Sequence, residues 1–190
     1  MKLQDLYKKK TPVDYIIYLS VLVGGIIFDQ LTKWLTVKNM ELYEHMPVIK
    51  TGELVWASFL HIRNDGAAFG MMDNAPWVFN TISTVAILGM TAFLFLGHME
   101  TKLSGIGLSM MISGGIGNMI DRVALGYVVD MIHLDIFNET KLFASVNTVF
   151  NVADSFVCIG AAALVLGLIL EMIAEAKKGK LAKSTDEGKK

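Results

Sequence analysis

From Trp77 to Gly97 the chain carries no charged residue. A bilayer core takes about 20 residues of helix, so this run predicts a membrane span and constrains the fold more than any other stretch. The remainder agrees with it. The chain is 53% hydrophobic and 18% charged, with mean hydropathy +0.49, whereas soluble domains carry about 25% charged residues. Its 190 residues suit a single domain, 1–190. The expected class is an all-α, multi-span membrane protein. A net charge of −1 gives no overall basic surface, so no nucleic-acid partner is expected. The single cysteine, Cys158, excludes an intrachain disulfide and any multi-cysteine metal site. Lying in an apolar run, it is expected as a small buried hydrophobe.

Four spans are expected, at about 15–36, 77–97, 103–122 and 152–172, with cytoplasmic tails at about 1–12 and 177–190. A basic arm before an apolar run resembles a signal peptide, but the run continues into Gly24, Gly25 and Asp29 without a small-residue cleavage site. The uncharged part of span one, Tyr15 to Phe28, is too short to cross a bilayer. The helix must therefore carry Asp29 and Lys33 to the membrane boundary, with Trp34 at the interface. Asp29 and Lys33 are spaced i, i+4 and can pair. Either they form an interfacial ion pair, or Asp29 faces inward to a site. Span three is rich in Gly and Ser, which lets helices approach closely in lipid. Gly114, Asn118 and Arg122 share one stripe of it.

Two polar stretches separate the spans. In 38–76, partial alternation from Trp56 to Arg63 suggests a strand ending in a turn, Asn64 to Gly70. In 123–150, Val128, Ile132, Leu134 and Ile136 alternate with Met131, His133 and Asp135, a second strand candidate that contains Asp130. The two segments fall on one side of the membrane in a four-span arrangement and could pair. The tail has six lysines (Lys177, Lys178, Lys180, Lys183, Lys189, Lys190) and is expected to be disordered. The N-terminal arm has four lysines and the 98–102 connection one; opposite them, Lys38, Lys50 and Arg63 lie in the first polar stretch and Lys141 in the second. The positive-inside rule puts both termini in the cytoplasm and both polar stretches outside.

Polar groups gather at the outer ends of spans three and four: Asn118, Asp121, Arg122, Asp130, Asn151 and Asp154. Singly, each has an ordinary reading. Asn151 and Asp154, three apart at a helix start, can cap it. Asp130 can be solvated, and Arg122 can sit on a helix C-terminus. Together they mark a functional site, because ionisable groups at a membrane boundary are expensive. Two carboxylates held close share one proton near neutral pH. One then takes a proton from water while the other polarises a carbonyl. Which of Asp130 and Asp154 plays which role is open. Asn64, Asn118 and Arg122 could orient substrate or an oxyanion. No histidine lies in a G-x-S-x-G context and no H-E-x-x-H motif exists. His61 and His133 are expected as isolated surface residues.

With these residues assembled, the chain resembles the bacterial lipoprotein signal peptidases (signal peptidase II). The resemblance rests on D-Q-L-T-K (Asp29 to Lys33), R-N-D-G-A-A-F (Arg63 to Phe69), G-G-I-G-N-M-I-D-R (Gly114 to Arg122), V-V-D (Val128 to Asp130) and F-N-V-A-D (Phe150 to Asp154). It covers nearly all of the chain except both tails. It implies a four-helix inner-membrane aspartyl endopeptidase with a small extracytoplasmic β-sheet. Such enzymes cut prolipoproteins N-terminal to a diacylglyceryl-modified cysteine, without a metal or other cofactor. The family's catalytic aspartates fall on Asp130 and Asp154. Its supporting site residues fall on Asp29, Asn64, Gly114, Asn118, Arg122 and Asn151, and Asp121 reads as structural support. The expected partners are diacylglyceryl-prolipoprotein substrates and membrane lipid, and the expected state is a monomer. Two other classes compete. Intramembrane Asp and Asn also build transporter ion paths, but no internal repeat is visible and the polar groups lie at one face. A structural scaffold would need every ordinary reading to hold at once.

Overall fold

Small residues decide how the helices meet. The computed structural model describes residues 10–65, 76–97, 101–135 and 149–187, with the backbone alone for 76, 77, 79 and 178–187. Among the described residues four helices form: α1 (Pro12–Asn39), α2 (Pro76–Leu96), α3 (Lys102–Ala124) and α4 (Val152–Glu187). α3 packs on the other three, most extensively on α4. Between lipid-bathed helices the drive to associate is close packing, not exclusion of water. A Cβ added to Gly107 would lie 2.6 Å from the Gly160 carbonyl oxygen, and one on Gly160 would lie 2.5 Å from the Gly107 oxygen. A Cβ on Gly114 would run into the Ala153 carbonyl. The two backbones therefore touch because the side chains are missing. Tyr18, Leu94, Leu108 and Ile112 fill the buried centre among α1, α2 and α3.

Polar ties fix one end of the bundle. Thr11 and Asp14 form a capping box at the start of α1, with Pro12 in the first turn. Lys102 pairs with Asp14 at 3.0 Å. Glu171 of α4 accepts from Thr101 N at 2.9 Å and from Ser104 Oγ at 2.9 Å. Lys10 donates to the Leu94 carbonyl and Tyr15 stacks on Phe95, so α2 ends where α1 begins and runs antiparallel to it. At the other end lie the C-termini of α1 and α3 and the start of α4. Here Gly126, at φ +85°, stops α3 and turns the chain into a strand.

That end carries a four-stranded antiparallel sheet, β1 (His45–Thr51), β2 (Leu54–Asn64), β3 (Val128–His133) and β4 (Val149–Phe150), in that order. The two strands expected from alternation are β2 and β3, and they pair, with Asn64 opposite Val128 and Ile62 opposite Asp130. β1 is a finding. It is exposed along its length and contains Pro47, as an edge strand allows. Gly52 at φ +62° closes the hairpin to β2.

Two further expectations, the disordered tail and the buried Cys158, are corrected. The helix α1 contains the expected span 15–36 and extends past it at both ends. The backbone of 177–187 continues α4 as helix; its Ala, Lys and Leu residues are helix formers and no proline stops it. Cys158 is exposed on α4, because an apolar face turned toward lipid gains nothing by burial in protein. Among the described residues, three helices are long and apolar enough to cross a membrane: Pro12–Asn39, Lys102–Ala124 and Val152–Lys177. Asn80–Leu96, within the 21-residue helix α2, is also apolar. Gly66 to Gly70 of the expected turn, the histidine and glutamate of the 98–102 connection, Ile136, Lys141, the N-terminal lysines before Lys10, and Lys189 and Lys190 lie outside the described residues.

Candidate active site

Asp154 sits in the first turn of α4 because Asn151 caps it. The Asn151 Oδ1 accepts from Asp154 N at 2.9 Å, and Asp154 Oδ2 accepts from Asn151 N at 3.1 Å. This is a capping box with Asp at the third position. The expected cap is therefore present, and it does more than cap. Asn151 Nδ2 also donates to Asp130 Oδ1 at 2.7 Å. One asparagine thus holds both carboxylates. Asp130 is 1% exposed, within the buried strand β3. Its other oxygen accepts from Asn64 Nδ2 at 2.9 Å, across from β2. Asp154 is half-buried, and its other oxygen accepts from Asn118 Nδ2 at 2.7 Å. Burial pushes the Asp130 carboxyl up to about 6; the nearby Asp154 charge adds to the rise, and the Asn64 and Asn151 donors oppose it.

Behind this pair lies a second layer, fully buried. Lys33 Nζ contacts Asp29 Oδ2 at 2.9 Å, Asp121 Oδ2 at 3.1 Å and Asn118 Oδ1 at 2.9 Å. All three ammonium donors are used. The Asp29–Lys33 pair is thus not interfacial: it is buried and joined through Asn118 to Asp154. Asp29 Oδ1 accepts from Ala153 N at 2.9 Å, so α1 holds the first turn of α4. Asp121 Oδ2 accepts from Val129 N at 3.0 Å, so α3 holds β3 next to Asp130. A Cβ on Gly117 would lie 2.5 Å from Asp29 Oδ2; the glycine leaves room for the carboxylate. Gly114 makes its contact with the α4 backbone at Ala153 and with Val157. It thereby sets how near Asn118 stands to Asp154. Arg122 is half-buried at the end of α3, within electrostatic reach of Asp154, Asp130 and Asp121.

All eight residues singled out from the sequence fall in or beside this site. One polar contributor was missed. Gln30 Nε2 bonds Asp121 Oδ1 at 3.0 Å and the Gly117 carbonyl at 3.1 Å. Its signal was available, since it is a polar residue between Asp29 and Lys33 in an apolar helix. His61 and His133 are corrected: they are 5% and 6% exposed. His61 Nδ1 lies 3.1 Å from the Met40 carbonyl, and His133 Nδ1 lies 3.1 Å from Asp135 Oδ1. Each found a partner that let its polar edge be buried.

Comparison with known proteins agrees with this arrangement. A family model described as signal peptidase (SPase) II matches residues 21–170. A lipoprotein signal peptidase of Bacillus subtilis (strain 168) is 37% identical over 156 residues, 82% of this chain and 95% of that protein. Two solved structures, both described as a bacterial membrane enzyme structure by the in meso method, are each 27% identical to it. One, at 2.3 Å resolution, has a TM-score of 0.71 and covers 87% of this chain and 93% of its own. The other, at 1.9 Å, has a TM-score of 0.67 and covers 85% and 96%. With a match that spans most of its length and the membrane helices described above, the chain belongs to the signal peptidase II family of aspartic peptidases, membrane enzymes that process prolipoprotein signal peptides.

Proposed function

We propose that this enzyme cuts diacylglyceryl-modified prolipoproteins on the N-terminal side of the lipidated cysteine, with Asp130 and Asp154 as its catalytic pair. The observation that carries this reading is Asn151 bonded to both carboxylates. Asp130, raised to about 6, is the proton carrier. Asp154 is the ionised base, at a helix N-terminus that favours negative charge. Asp154 takes a proton from water as the water attacks the scissile carbonyl. Asp130 gives its proton to the carbonyl oxygen. The tetrahedral intermediate then collapses: Asp154 passes its proton to the leaving amine, and Asp130 takes back the hydroxyl proton. Asn64 and Asn118 orient the acids. Asp29 and Lys33 are positioning residues that act through Asn118 and the α4 backbone. Arg122 offers positive charge to the oxyanion or a substrate carbonyl, and Gly114 keeps α3 against α4.

We further propose four spans, with α2 as the fourth, in the bacterial inner membrane. Both termini are cytoplasmic and the sheet and site lie at the outer face, as the lysine and arginine counts support. The chain acts as one domain and a monomer, without a cofactor. An apolar cavity of about 420 Å³ between α2 and α3, lined by Ile87, Leu88, Ile116, Ile120 and Val123 among others, suits acyl chains. The test uses purified full-length protein in detergent with a diacylglyceryl-modified prolipoprotein and its unlipidated form. Signal peptide should leave only the lipidated form. Asp130→Asn or Asp154→Asn should each lower release by about 10³-fold or more, with the helical circular dichroism retained. Equal cleavage of both substrates would overturn the lipid requirement, and release that survives either substitution would overturn the pair.

A further inference from the structure

The sheet carries a second cluster of chemistry-bearing side chains that hydrolysis does not use. His45 opens β1, His133 closes β3, and Asp135 lies two residues beyond. Strand register explains their meeting. His45 stands opposite Leu60, and His133 opposite Ser58. Positions 58 and 60 share one face of β2, since side chains alternate along a strand. His45, Ser58 and His133 therefore share that face. Asp130, three residues before His133, faces the other way. The distances are short. His45 Nε2 and His133 Nδ1 each lie 3.1 Å from Asp135 Oδ1, and the three ligand atoms fall within 4.8 Å of one another. Ser58 Oγ donates to Asp135 Oδ2 at 2.7 Å, which holds the carboxylate and turns Oδ1 toward the two rings.

We propose that His45, His133 and Asp135 form a binding site for a divalent transition-metal ion, zinc fitting best, separate from the catalytic pair and independent of the function proposed above. Two imidazole nitrogens and one carboxylate oxygen are a borderline donor set of the kind zinc takes. Tetrahedral bonds of about 2.0–2.1 Å place neighbouring ligand atoms about 3.3 Å apart, close to the 3.1 Å that separates each histidine nitrogen from Asp135 Oδ1, and the remaining pair lies within 4.8 Å. A metal would replace the shared contact at Asp135 Oδ1 with three bonds to one centre. Ser58 supplies the outer-shell bond that fixes the carboxylate. The His45 side chain is 42% exposed, so the cluster is reached from solvent. The ion would clamp β1 to the end of β3 across β2.

The test is direct metal binding by the full-length, detergent-solubilised protein without a polyhistidine tag. The protein is stripped with a chelator and titrated with Zn²⁺ against a chromophoric competitor. About one Zn²⁺ per chain should bind, and Zn²⁺ should raise the melting temperature. His45 is exposed, so His45→Ala should fold normally yet bind at least about 10-fold more weakly and lose the thermal shift. Asp135→Asn should do the same. Wild type that takes up no Zn²⁺, or that binds it no better than His45→Ala, would overturn the site.

Discussion

Asn151 donates to Asp130 through Nδ2 and to Asp154 through its backbone N–H, and accepts the Asp154 N–H through Oδ1. Asn151→Ala should therefore act twice. Losing the cap costs about 1 kcal/mol, read as a lower melting temperature, and losing the bridge should cut kcat far more than that stability loss explains. A variant that keeps wild-type kcat would remove Asn151 from the mechanism. The Asp130 proton gives a pH signature. In the proposed mechanism its protonated form is the working one, so kcat/KM should fall as pH rises through its pKa, about 6 in the free enzyme. Asn64 favours the ionised form, so Asn64→Ala should move this alkaline limb to higher pH; a downward move would contradict the assignment. Stability follows the same sign. The Asp130 contribution is fully present below pH of about 4 and is lost as pH rises through about 6. Asp130→Asn should therefore melt no lower than wild type at pH 8. At this scale the side chains were legible, because Asp and Asn are conspicuous at the ends of apolar runs. The backbone donors of Val129 and Ala153 were not, since every residue has one and only the fold aims it. The buried histidines were misjudged for the same reason: their partners, a Met40 carbonyl and Asp135, come from tertiary contacts.

α3 is the element on which the others are registered, through backbone contact with α4 and polar contact with α1. Gly107→Val would drive a branched side chain into the Gly160 carbonyl. We expect a loss of about 1–3 kcal/mol, or helix separation, seen as a lower melting temperature. The equivalent change at Gly24, whose Cβ would meet nothing within 4 Å, should be tolerated. Lys33→Met would leave Asp29 and Asp121 buried without their cation, at a cost of about 3–5 kcal/mol. Unchanged stability would mean that the buried cluster is neutral without Lys33. The stripe of Gly114, Asn118 and Arg122 was readable because helical spacing alone aligns it. β1 was not, because an exposed edge strand has no buried face to impose alternation, and Pro47 reads as a strand breaker. The helical tail was missed because its lysines suit a solvated coil as well as a helix.

For the whole molecule, the sheet end and the Glu171 end should face opposite sides of the membrane. In a Cys158→Ser background, Glu53→Cys in the β1–β2 turn should react with an impermeant maleimide added to intact cells. Lys183→Cys should react only after lysis. The reverse pattern would invert the topology. The loop lysines supply the orientation that this labelling tests, and the approach of Asp130 and Asp154 to one asparagine was legible from span connectivity. The exact bridging atom was not. The most direct measurement is the cleavage rate of a diacylglyceryl-modified prolipoprotein by Asp130→Asn, Asp154→Asn and the double variant. If the two acids handle one proton as a unit, all three should fall to the same residual rate, because the second loss removes nothing further. A double variant slower than either single by the product of their effects would show two groups acting independently and contradict the account.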